Sequence, residues 1–253
     1  MDTHRQGEPL VLAYPFRGRW RARNSPARRV PSHGSTLMGT TYAIDFVPVD
    51  ATGRSAPWGW RAALATQAPE AFVGFGAPIL APCPGRVVIA HDGETDHAAR
   101  RSPVTLLPYL LGQPSRLRAG PSALAGNHVV IALAPAGPYV LLAHLRRGCV
   151  AVAVGDRIGE GDVVGACGNS GNSTEPHVHV QATDTTDWDQ ARGLPIAFRG
   201  AGGPGLPAES EIVIARGHTT RPIAAPSLAA VSRSRARRAS HERPDPSPRA
   251  NWG

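Results

Sequence analysis

The 253-residue chain contains no lysine; all 27 of its Lys+Arg positions are arginine. A biotinyl or lipoyl carrier needs a lysine to bear its cofactor, so both are excluded. An Arg-only, Ala/Gly/Pro-rich composition reads as genome bias rather than a binding code. Cysteine is scarce: Cys83, Cys149 and Cys167 are widely spaced and form no Cys-x-x-Cys. That argues against a structural zinc knuckle and against a disulfide framework, and leaves three small hydrophobes in apolar contexts. No apolar run approaches the roughly 18 residues of a transmembrane helix. The stretch Met1–Glu8 shows no basic segment leading into an apolar one, so no export signal is visible.

Hydrophobic residues make up 42% of the chain, enough for a real core, and the length suits one substantial domain or two small ones. With 28 Gly and 25 Pro, short strands and many turns are favoured over long helices. The formal charge of +8 suits anionic partners, but part of it sits in Arg233-Ser-Arg-Ala-Arg-Arg238. From about Arg199 the sequence becomes Gly/Pro-rich and then Arg/Ser/Pro-rich, which cannot bury a core. Residues 201–253 are therefore expected to be a disordered tail, offering at most weak contact with an anionic surface. It has no aromatic interleaving, so no specific nucleic-acid partner is expected; a monomer is.

Ionisable residues inside apolar strands are the candidates for chemistry. His177 and His179 lie on a strand in Pro176-His-Val-His-Val180, where alternation puts both imidazoles on one face, roughly 6.5–7 Å apart. Such a pair can serve one zinc site as ligand and base, or be two surface histidines on an edge strand. Asp45 interrupts the strand Tyr42–Val47, where a buried carboxylate needs a metal or an Arg partner. His144 interrupts Tyr139–Leu145, as a hydrogen-bonded core residue or as part of a site. Arg17, Arg19, Arg21 and Arg23 share a face, a basic strip or the solvated side of an edge strand. Asp92, Glu94, Asp96 and His97 invite a cation site, but the closing bidentate Glu of a calcium loop is missing, so a solvated turn is expected. Trp58 and Trp60 read as core or rim packing beside a possible role in lining a groove.

Three segments together resemble the lysostaphin/LytM-type zinc endopeptidases of peptidase family M23, over about residues 11–200. They are Gly168-Asn-Ser-Gly-Asn-Ser-Thr-Glu-Pro-His-Val-His179, the strand Leu141-Leu-Ala-His-Leu145 and the hairpin Val152-Ala-Val-Gly-Asp-Arg-Ile-Gly-Glu-Gly161. The resemblance implies a mainly β fold, an antiparallel sheet curled into a groove (LytM/lysostaphin-like, barrel-sandwich-hybrid type) with long loops. It implies Zn²⁺ held by His33, Asp45 and His179, with His144 and His177 as base and oxyanion donors, and Asn169 and Ser170 shaping the loop above. Family members usually carry a His four residues before the Asp; here that position is Thr41. His33, twelve residues upstream with Gly34 and Gly39 between, is the nearest candidate. The implied substrate is bacterial peptidoglycan peptide, at a cross-bridge or stem. The implied site of action is extracellular or at the cell envelope, in tension with the missing export signal. The implied organisation is an entry strand and loop over 1–30, a peptidase domain over 31–200 with an insertion at about 94–126, and the tail. Two other classes stay open: a degenerate, metal-free binding or regulatory module, suggested by Thr41, and a phosphocarrier of the sugar-phosphotransferase IIA type, which shares the hairpin pattern.

Overall fold

A computed structural model describes residues 7–57, 66–100, 121–200 and 202–216. Trp58, Trp60, most of the expected insertion and the Arg233–Arg238 cluster lie outside these residues. The architecture is mostly β. The main sheet is built from β2 (Gly18–Arg23), β3 (Ile44–Pro48), β5 (Gly85–His91), β6 (Asn127–Ala132), β7 (Tyr139–Leu145), β8 (Arg157–Ile158), β10 (Val178–Thr183) and β14 (Ile212–Ala215). Its order is β14-β2-β3-β10-β7-β6-β5-β8, with β11 (Gly193–Leu194) also paired to β10, and all these pairings are antiparallel. A second sheet joins β1 (Leu10–Leu12), β12 (Ile196–Gly200) and β13 (Gly203–Gly205), where β1 and β12 form a parallel pair. The short strands β4 (Pro78–Leu80) and β9 (Val163–Ala166) form a third.

Alternation sorts the side chains of the main sheet. Ile44, Phe46, Val140, Leu142, Val178 and Val180 face the principal core, all fully buried. Phe46 anchors an aromatic cluster there, edge-on to Tyr14, Phe16 and Phe198 at 4.9–5.8 Å, while Trp20 stacks on Phe16 at 4.4 Å. The opposite face of the same strands carries Asp45, His179, Gln181, Leu141 and Ala143, and it is this face that holds the ionisable cluster.

The domain is wider than its composition suggests. β1 and β2 belong to the fold rather than leading into it: Leu10, Leu12 and Trp20 are core residues. β14 pairs with β2 from Ile212 to Ala215, so the sheet continues past residue 200 into the segment expected to be disordered. The Gly/Pro-rich stretch before it conceals a short strand whose backbone groups are satisfied by an existing neighbour. Because β14 covers it, β2 is not an edge strand. Two of its arginines are engaged in the structure: Arg21 donates to the Gly53 carbonyl, and Arg23 lies 3.6 Å from Glu209.

Candidate metal centre and flanking histidines

Asp45 stands opposite His179 across the β3–β10 pairing, so the two side chains rise together from one face. Asp45 Oδ1 is 2.8 Å from His179 Nδ1, and Oδ2 is 3.1 Å from His33 Nε2. One ligand atom from each of His33, Asp45 and His179 lies within 4.8 Å of the others. His33 arrives from a loop that folds back on itself. The Ser32 amide donates to the Thr41 carbonyl at 3.0 Å, and Gly34 and Gly39 take positive φ values of 75° and 74°. A Cβ on Gly39 would sit 2.4 Å from the Thr183 side chain, so the loop needs glycine there for space as well as backbone angle. The residue before His33 is thereby tied to Thr41.

The flanking histidines close the cluster. The His144 ring lies 4.7 Å from that of His177 and 5.9 Å from that of His179. His177 Nε2 is 3.6 Å from Asp45 Oδ1. Strict alternation along β7 would send His144 toward the core with Val140 and Leu142. A register shift against β6, where Asn127 pairs with Leu145 but Val129 with Leu142, inserts an extra residue into β7. His144 takes φ 62° at this bulge and turns onto the site face.

The hydrogen-bond partners favour one proton position on each of the four rings. A carbonyl only accepts, so the Ser32 hydroxyl proton goes to Thr40 O (3.2 Å), and His33 Nδ1–H donates to Ser32 Oγ (3.0 Å). Likewise Gln181 Nε2 donates to Met38 O at 2.8 Å, which turns Gln181 Oε1 toward His179 Nε2 at 2.9 Å and makes that nitrogen the donor. His33 Nε2 and His179 Nδ1 are then lone pairs aimed at one carboxylate. Such convergence is repulsive unless a positive charge sits among them. Two imidazole nitrogens and a carboxylate oxygen are ligands that suit zinc, with the far ring nitrogens held by hydrogen bonds as metal-binding histidines require. The donor set fits the ion. His144 Nδ1–H donates to Ser170 O (2.9 Å) and His177 Nδ1–H to Glu175 O (2.8 Å), which leaves Nε2 of each as an acceptor.

The electrostatics follow from burial and proximity. Burial alone would raise the Asp45 pKa, but the neighbouring His33 and His177 and the close contacts with His179 and His33 outweigh it and hold the carboxyl well below its usual range. Burial is the largest single influence on His33 and pulls its pKa down, but the attraction of Asp45 and the contact with its carboxylate together outweigh it and the net shift is upward. Burial, then the neighbouring His177 and His179, push His144 well below the ordinary histidine value, so it is neutral at pH 7.

Several contributors carried no sequence signal. Asn24, at φ 50°, donates to Asp45 Oδ2 at 2.7 Å. Gln181 shares the face of His177 and His179 at the next alternate position, the one clue that could have singled it out. The turn expected to be solvated is instead a strap. Asp96 accepts from the amides of Asn169 (2.7 Å) and Arg147 (2.9 Å), and His97 Nε2–H donates to Gly171 O (2.6 Å). It thereby holds the loop whose Ser170 carbonyl orients His144. His128, on β6, is buried with its Nδ1 on Gly126 O (2.7 Å), outside the cluster.

A sheet face with two imidazoles and a carboxylate converging, and two further imidazoles beside them, is an arrangement that can hold a metal ion with proton-exchanging groups next to it. Comparison with known proteins agrees: residues 117–190 match the model of Peptidase family M23, a family of hydrolases. The match contains His144, His177 and His179; His33 and Asp45 lie before it. Among solved structures, the chain is similar to the catalytic domain of the antimicrobial peptidase lysostaphin from Staphylococcus simulans, at 18% identity and a TM-score of 0.34, covering 60% of this chain and 74% of that one. It is similar to a point mutant of the catalytic domain of the prophage-encoded M23 protein EnpA from Enterococcus faecalis, at 18% identity and 0.35, covering 75% and 90%. A zinc-containing peptidase from Vibrio cholerae is matched at 18% identity and 0.29, covering 55% of this chain and 46% of that one.

Proposed function

We propose that the protein is a zinc-dependent endopeptidase that hydrolyses peptide bonds of bacterial peptidoglycan. The carrying observation is the convergence of the His33 and His179 lone pairs on Asp45, with the acceptor nitrogens of His144 and His177 alongside. His33 Nε2, Asp45 and His179 Nδ1 would hold the metal, and three protein ligands leave a coordination position open. When bound, zinc supplies Lewis acidity, polarising the scissile carbonyl and lowering the pKa of an attacking water toward ~7. His144, neutral and oriented by the Ser170 carbonyl, takes the proton from that water at Nε2 and returns it to the leaving amine nitrogen as the C–N bond breaks. His177, held by Glu175 O and Ser173 Oγ, stands with Nε2 beside the reacting centre as the second group able to exchange a proton with the tetrahedral oxyanion. The substrate class follows from the proteins the chain resembles.

The test pairs metal analysis of untagged protein with mass spectrometry of fragments released from purified peptidoglycan. About one zinc per chain and new amine termini are expected. His144→Ala and His177→Ala should keep the zinc and lose the cleavage, whereas His179→Ala should lose both. Protein that takes up no zinc would instead be the metal-free binding module.

A further inference from the structure

Gln181 lies outside the metal ligands and the two flanking histidines, yet it is buried on their face with both ends of its amide engaged. We infer that Gln181 is a positioning residue that locks His179 in its Nε2–H form and so reserves Nδ1 for the metal; this rests on the metal site proposed above. A neutral imidazole has two tautomers, and only one of them presents a lone pair at the nitrogen facing Asp45. Nothing in the Asp45 contact favours that tautomer, because a carboxylate attracts an N–H at 2.8 Å more readily than a lone pair. Left alone, His179 would place its proton on Nδ1, toward Asp45, and the site would close on itself. The opposing preference comes from the far side of the ring. Gln181 Oε1 accepts there at 2.9 Å, and it cannot be exchanged for the amide nitrogen because that nitrogen is spent on Met38 O at 2.8 Å. The backbone carbonyl of Met38 thus sets the amide, the amide sets the ring, and the ring sets the ligand atom.

Gln181 has a second role against which this one must be told apart: it ties the Met38 segment, whose φ is 56°, to the sheet. Two variants separate the roles. Gln181→Met removes both contacts. Gln181→Glu keeps an acceptor for His179 Nε2–H but cannot donate to Met38 O. The measurements are zinc affinity by chelator competition, and ¹⁵N NMR of the histidine rings in the metal-free protein, which reads the tautomer directly. For wild type we expect the His179 proton on Nε2. For Gln181→Met we expect that preference to be lost and zinc bound about 10–100-fold more weakly, the usual effect of removing a partner of a metal-bound histidine. Gln181→Glu should retain the tautomer and bind zinc far more tightly than Gln181→Met. If Gln181→Glu were as weak as Gln181→Met, the residue would be a loop tether only. An unchanged ring spectrum in Gln181→Met would equally overturn the inference. A wild-type protein that shows the Nε2–H tautomer but takes no zinc would leave the lock standing and refute the metal site.

Discussion

The replacement of His33 by alanine tests the least conventional part of the proposed site, a candidate ligand delivered by a folded-back loop twelve residues before Asp45. The variant removes the 3.1 Å contact to Asp45 Oδ2 but leaves that carboxylate the hydrogen bond from Asn24 and its contact with His179. The fold should therefore persist: the ring belongs to no core cluster, and its side chain is 22% exposed. The metal should not. Four-ligand protein zinc sites bind with roughly 10–16 kcal/mol, or about 3 kcal/mol per ligand if shared evenly. At 1.4 kcal/mol per decade, one lost ligand corresponds to about a hundred-fold weaker binding. Competition against a chromophoric chelator at pH 7 to 8 reads that change, and circular dichroism verifies the fold. Stoichiometric zinc at wild-type affinity in His33→Ala would mean that the ring is not a ligand and that another group fills its place.

Three further outcomes are expected. The raised His33 pKa adds stability to the metal-free protein below the unfolded value of about 6.5, lost as pH rises through the folded value; the lowered Asp45 pKa adds stability above about 3.9, lost as pH falls through the folded value. The melting temperature of metal-free wild type relative to Asp45→Asn should therefore peak between those limits, and a difference that is flat with pH would refute the pairing. Asp96→Ala deprives two amides of a charged acceptor and should cost about 2 kcal/mol in denaturant unfolding, with cleavage falling further than zinc content because His144 loses its supported loop. With a disulfide reagent at pH 8, half-buried Cys149 should react first in the native state. Buried Cys83, its pKa pushed up to about 12 by burial and then by Glu160, and buried Cys167, also raised, should react only on unfolding.

The sequence by itself determined the class of fold and singled out the candidates for the site. Gly and Pro in abundance, strands of alternating residues and ionisable groups set in apolar runs are local signals, and local signals survive in one dimension. His177 and His179 share a face because strand geometry demands it, and Asp45 stands out because a carboxylate among Ile44, Phe46 and Val47 needs a partner. What the sequence did not contain was pairing. Only the tertiary structure set Asp45 opposite His179, brought Asn24 and Gln181 to their sides, and recruited Ile212–Ala215 into a sheet from a stretch that composition marks as unstructured. Alternation alone would have pointed His144 into the core; a bulge, fixed by the register of β7 against β6, turned it outward. The polar turn at Asp92–His97 became a strap for the same reason. A carboxylate is solvated until another segment's amides arrive, and which segment arrives is decided by how the chain closes on itself, not by the residues that flank it.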